Sequence, residues 1–146
     1  MSIDHIAILF VVQHGPELMV DPQTQSVVQG EAAIARYLSR LLRPSYDDTD
    51  ARDATLLDQW IDSASLFLYG NNKEQNAVLK SVNAQLGKSA WLGGDGESLA
   101  DIMMWSVITQ TPSSHQSLPA KVHQWYVKCC DVQDMKVVLQ AAVRST

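Results

Sequence analysis

Ten successive residues, Leu99-Ala100-Asp101-Ile102-Met103-Met104-Trp105-Ser106-Val107-Ile108, carry a single charge. A helix that is apolar on almost every side must be buried on almost every side. The rest of the chain is therefore obliged to wrap around this stretch. Its start is marked as well. Ser98 stands where a helix cap belongs, and Asp101 three residues later can bond back to the cap's own N–H, a capping box. The glycine-rich run Trp91-Leu92-Gly93-Gly94-Asp95-Gly96 precedes it. The spacing predicts a core helix over residues 99–110, with Asp101 as a cap rather than a catalytic acid.

The material available for wrapping is 146 residues, 46% hydrophobic and 18% charged. That suffices for one core or two small packed lobes and excludes a disordered chain. The net charge of −5 argues against direct nucleic-acid binding, which needs a basic face to neutralise phosphates. The apolar run over residues 6–12 is too short to cross a bilayer and lacks a basic flank, so neither a membrane span nor a signal peptide is expected. Cys129 and Cys130 are neighbours on an expected helix, where their side chains diverge by about 100°, so they do not bridge each other. No metal-ligand spacing exists, and the expected state is reduced and intracellular.

Ahead of the core helix the chain changes character once. Residues 6–12 read as a strand buried on both faces, ended by Gly15-Pro16. Leu18-Met19-Val20 and Ser26-Val27-Val28, joined across Asp21-Pro22-Gln23-Thr24, read as a hairpin. Ala33, Ile34, Tyr37, Leu38 and Leu41 then recur at helical spacing over Glu31–Leu42, and Arg43-Pro44 stops the helix. Residues 43–50 form a polar, acidic linker, which divides a first lobe (1–44) from a second (45–146). Beyond it only helices are expected. Asp48, Thr49 and Asp50 open one that carries Leu56, Leu57, Trp60, Ile61, Ala64, Phe67 and Leu68. Asn72 and Gln75 offer a cap pair for the next, with Ala77, Val78, Val82 and Leu86 on its stripe. Pro119 opens a helix bearing Val122, Trp125, Tyr126 and Cys129, and Met135 to Val143 make a last one.

The glycine-rich turn, the S-x-x-D box and the buried helix, in this order, resemble the central helix of the glutathione-transferase C-terminal domain. The first lobe resembles the second half of a thioredoxin-like domain, with Pro16 where that fold places its cis-proline. The resemblance covers nearly the whole chain and implies an α+β, glutathione-transferase-like fold: a reduced thioredoxin-like N-terminal lobe and an all-α helical domain. The first strand and helix of that family would precede residue 1, so either a shortened piece or a naturally reduced lobe is expected.

A narrower resemblance rests on N-A-Q-L-G-K-S-A-W-L over residues 83–92, on Ala100-Asp101 and on Trp105-Ser106-Val107. Residues 31–38, 58–62 and 119–122 add to it. These stretches are similar to the transferase-like domains of non-catalytic scaffold subunits in the animal multi-aminoacyl-tRNA synthetase complex. The resemblance implies a cytoplasmic (cytosolic) scaffold, with the nucleus as a second location, and no cofactor. It implies one interface built from Ala33, Arg36, Tyr37 and Arg40 against Leu57, Trp60, Ala64 and Phe67, joining the transferase-like domain of glutamyl-prolyl-tRNA synthetase. A second surface on the later helices would take aspartyl-tRNA synthetase. Self-association stays open. On this reading Arg36→Glu or Arg40→Glu weakens partner binding while folding is kept.

Catalysis is not expected. A glutathione transferase needs a hydroxyl or thiol at the end of its first strand to hold the reactive thiolate. The hydroxyls before Tyr37 are Ser2, Thr24 and Ser26, at the terminus or beside the hairpin. The acidic-or-Gln plus Ser pair that binds the γ-glutamyl end aligns with Gly30-Glu31, whose carboxylate would repel that of glutathione. Two other readings remain: a glutathione-using enzyme, which retention on immobilised glutathione would reveal, and the transferase-like domain of a translation elongation factor subunit, against which L-G-K-S-x-W-L speaks. His5, His14, His115 and His123 read as surface residues, and Trp60, Trp91, Trp105 and Trp125 as core. Asp47, Asp48 and Asp50 read as helix-initiating residues as readily as a dock for a basic partner. Glu31, Arg36 and Arg40 stand evenly between solvated surface and interface ion pairs.

Overall fold

The hairpin forms where the turn chemistry places it. β1 (Glu17–Asp21) pairs antiparallel with β2 (Ser26–Gln29), Leu18 opposite Val28 and Met19 opposite Val27. Asp21 organises the turn, its carboxylate accepting from the Gln23 N–H at 2.9 Å and the Thr24 hydroxyl at 2.8 Å. These hydrogen bonds, the Thr24 hydroxyl first, hold the Asp21 carboxyl below its ordinary range. Gly30, with φ +86°, then swings the chain into α1 (Glu31–Leu42), a conformation that costs glycine nothing. The computed structural model describes residues 17–42, 44–94, 96–111 and 116–132. The expected strand over 6–12, the Pro16 position, His5, His14 and His115, and the expected helix from Met135 to Val143 lie outside them.

The acidic linker is not structureless. Pro44–Asp48 wind into a short 3-10 helix that packs against α1. Asp50 caps α2 (Ala51–Tyr69), its side chain accepting from the Asp53 N–H at 2.9 Å. The next cap falls one residue earlier than expected. Asn71, not Asn72, caps α3 (Asn72–Leu86); its side chain accepts from Lys73 and Glu74 while Glu74 reaches back to the Asn71 N–H at 2.8 Å. A carboxylate at the third helical position also meets the positive helix end, which an amide cannot exploit equally. Gln75 instead donates to the carbonyl of Phe67, in the last turn of α2, satisfying one of that helix's orphan acceptors.

α4 (Leu99–Thr109) is the axis of the helical part, and every residue from Leu99 to Ile108 is buried. α2 packs along it, and α5 (Ala120–Asp131) packs on both α3 and α4. Trp105 stacks on Tyr126 with ring centroids 6.4 Å apart. Trp105, Met103, Met104, Ile108 and Phe67 are each under 2% exposed. At about 1.5–3 kcal/mol for each large side chain fully buried, this layer is the main source of stability.

The single charge in that layer is fully compensated. Asp101 is completely buried. Its Oδ1 accepts from the Leu92 N–H and from Trp125 Nε1–H, both at 2.9 Å, and its Oδ2 from the N–H and hydroxyl of Ser98 at 3.1 and 3.0 Å. One carboxylate thus ties the glycine-rich turn, the start of α4 and the middle of α5 together. The turn must approach closely for this. A Cβ at Gly93 would lie 2.6 Å from the Ser98 hydroxyl, so only glycine fits.

Candidate interaction surface

α1 is held to α2 by a ladder of polar contacts. At its foot Glu31, only 6% exposed, accepts from the Ser65 hydroxyl and the Tyr69 hydroxyl, each at 3.0 Å. One turn up, Arg36 reaches across to two carboxylates, with Nε to Asp58 at 2.9 Å and Nη2 to Asp62 at 3.2 Å. Asp58 and Asp62 sit four residues apart on one face of α2, so a single guanidinium spans both. Beyond α2, Arg40 pairs instead with the short 3-10 helix, meeting Asp47 at 3.1 Å and lying over the Tyr46 ring, 5.3 Å from its centroid. Burial first, then the charge of Asp58, pushes the Tyr46 hydroxyl above the ordinary tyrosine range, so it stays neutral.

On another side of α2 an open groove of about 790 Å³ runs between α2, α3 and the turn ahead of α4. Leu56, Leu57 and Trp60 line it from α2, Ser81 and Gln85 from α3, and Leu92 to Gly94 close one end. Leu56 is 46% exposed, while Leu57 and Trp60 are half-buried. The charges in the lining are Asp53 and Asp62; among the described lining residues none is basic.

The expected interface set therefore divides in three. Ala33, Arg36, Tyr37 and Arg40 lie on α1 with exposed or partly exposed side chains. Leu57 and Trp60 lie in the groove. Ala64 and Phe67 have no exposed surface at all. They face α4 and belong to the core, a correction that follows from helix phase: they fall on the same stripe as Ile61. Glu31 is corrected as well, being neither solvated nor an outward ion pair. Trp105 and Trp125 are core as expected, but Trp60 and Trp91 are only half-buried, and Trp91 lies under the Lys128 ammonium at 3.8 Å. His123 is exposed.

Leu56 was counted on the apolar stripe of α2, yet it stands 46% exposed at the groove. Its sequence signal was apolar spacing, four residues before Trp60, which does not tell an open groove from a core. The groove's other walls had no such sign. Among the described residues no group of His, Cys, Asp and Glu is arranged to hold a metal, and no helix is long and apolar enough to cross a membrane. Cys129 is fully buried, and burial first, then the charge of Asp101, drives its thiol far above the ordinary cysteine range.

No protein-family model matches the chain. Curated relatives do. The chain is 38% identical over 119 residues to the rat protein "Aminoacyl tRNA synthase complex-interacting multifunctional protein 2", covering 81% of this chain and 36% of that one. The cow protein of the same name is 41% identical over 108 residues. The chain thus spans about a third of the length of these relatives. A cytoplasmic glutamate--tRNA ligase of Arabidopsis thaliana is 32% identical over 93 residues, 62% of this chain and 13% of that one. Among solved structures, URE2P6 of Phanerochaete chrysosporium superposes with a TM-score of 0.73 at 14% identity, over 98% of this chain and 93% of that one. Gtt2 of Saccharomyces cerevisiae gives 0.64 at 15% identity, over 84% and 74%. A glutathione S-transferase-I bound to lactoylglutathione gives 0.58 at 22% identity, over 77% and 69%. These likenesses concern the fold.

Proposed function

The chain is a relative of the aminoacyl tRNA synthase complex-interacting multifunctional protein 2 proteins on a glutathione-transferase-like fold, and from that kinship we propose that it is a non-catalytic scaffold subunit of a cytosolic multi-aminoacyl-tRNA synthetase complex. The observation that carries this reading is the 38% identity maintained over 81% of the chain. A scaffold needs surfaces rather than a reacting group, and a specific interface of ordinary size buries about 1,600 Å² in total.

Support for the absence of glutathione chemistry comes from Glu31. The position that aligns with the γ-glutamyl-binding pair carries a carboxylate whose two oxygens are taken by Ser65 and Tyr69. A second anion placed there would meet charge repulsion. The partners we assign are the transferase-like domain of glutamyl-prolyl-tRNA synthetase on the α1–α2 side and aspartyl-tRNA synthetase on the later helices. The match to a plant glutamate--tRNA ligase supports pairing between like domains.

The test is direct mixing. The purified chain and the transferase-like domain of glutamyl-prolyl-tRNA synthetase are run together in sedimentation velocity, and aspartyl-tRNA synthetase is run likewise. A heavier species containing both proteins is expected. A chain that remains a monomer or a self-dimer with either partner overturns the reading, as does turnover of an electrophile with glutathione above the uncatalysed rate.

A further inference from the structure

We infer that the groove between α2 and α3 receives a basic segment of a partner protein, a stretch in which one large apolar side chain is flanked by lysine or arginine. The inference rests on the scaffold reading and names the chemistry of what that surface grips. The floor is apolar and in reach, with Leu56 46% exposed and Leu57 and Trp60 half-buried beside it. Such a patch holds an anchor side chain well because displacing water from it is favourable.

The rim decides the sign of the partner. Asp53 and Asp62 both line the groove, and no lysine, arginine or histidine does so among the described residues. Asp62 gives one oxygen to Arg36 yet keeps 72% of its side chain exposed. Asp53 makes no ion pair among the described residues. An incoming cation therefore meets two carboxylates, one of them uncommitted. A nucleic-acid phosphate is repelled by the same pair. A second copy of this chain, docked face to face on the groove, would set Asp53 and Asp62 against their own counterparts, which is costly across an interface. The polar wall, Ser81 and Gln85, offers hydrogen-bonding groups that suit an ammonium or a peptide backbone.

Fluorescence anisotropy of a labelled amphipathic peptide, with a leucine-tryptophan face flanked by lysines, tests this against the intact chain. Saturable binding is expected, weakened about tenfold or more in Asp53→Lys and in Leu56→Lys. Leu56→Ala serves if the lysine variant melts early. Glu17→Lys makes the same change of net charge on the hairpin and should leave the affinity within about twofold. A twin peptide with glutamates for lysines should bind Asp53→Lys better than the native chain. Equal losses in Glu17→Lys and Asp53→Lys, or no loss in either Leu56 variant, overturn the inference. If a synthetase subunit binds the native chain and Asp53→Lys equally, the groove is not its seat and the scaffold reading stands alone. If the peptide binds as expected while no synthetase subunit does, the groove's chemistry stands and the scaffold reading falls.

Discussion

Asp101 was legible as a cap because Ser98 stands three residues before it, a purely local relation. Its bond to Trp125, 24 residues away, left no trace in the sequence, because a pairing between separate helices has no periodicity. That bond makes the position more than a cap. Asp101→Ala leaves the Leu92 N–H and the Trp125 indole N–H buried without acceptors, at about 1–3 kcal/mol each. We expect a loss of about 3 kcal/mol or more, read as a lower midpoint in urea unfolding followed by tryptophan fluorescence. A loss no larger than that of an exposed cap, about 1 kcal/mol, would show that the carboxylate does not bind α5. Cys129 gives a second test. The thiolate is the reactive form, and the Cys129 thiol is fully buried and shifted upward. Iodoacetamide should therefore leave it unmodified in the folded protein at neutral pH and label it once urea is added, as peptide mass mapping would show.

At the scale of elements, periodicity located α1 to α5 and the hairpin, because those signals lie within a turn or two of helix or strand. It failed at junctions. The 3-10 helix Pro44–Asp48 and the cap at Asn71 depend on which of several competent neighbours wins, and a one-residue choice is beyond a period of 3.6. It also misjudged Arg36, whose partners Asp58 and Asp62 lie on the next helix. The expectation that Arg36→Glu spares folding is therefore replaced. A glutamate there would face two carboxylates across the α1–α2 seam. We expect it to lower stability by about 1–2 kcal/mol, and Arg36→Gln by about half that, after allowing for the solvent exposure of both aspartates. Arg40 and Asp47 are 50% and 64% exposed, so Arg40→Glu should cost well under 1 kcal/mol and is the cleaner probe of the partner face. Thermal melts of the three variants decide the ranking; equal melting temperatures for Arg36→Glu and Arg40→Glu would refute the clamp.

For the whole molecule the fold was legible through the order of its elements, while the groove was not. Its walls come from residues 49–63, 81–85 and 92–98, and only the packing of α2 on α4 and of α3 on α2 and α5 brings them together. What unites sequence and surface is charge. The stretch from Asp47 to Asp62, leading into and along α2, carries six aspartates against Arg52, of which Asp58 and Asp62 are paired with Arg36, and Asp47 with Arg40, from α1. A field of this kind speeds the approach of a basic partner more than it holds the complex, because long-range attraction acts before contact and salt screens it beyond about 10 Å at 0.1 M. Raising sodium chloride from about 50 to 500 mM should slow association with a basic synthetase surface roughly tenfold or more, while dissociation changes by less than about threefold. Surface plasmon resonance with the chain immobilised separates the two rates. An association rate indifferent to salt, with all the change in dissociation, would mean that the acidic start of α2 plays no part in drawing the partner in and that the apolar floor acts alone.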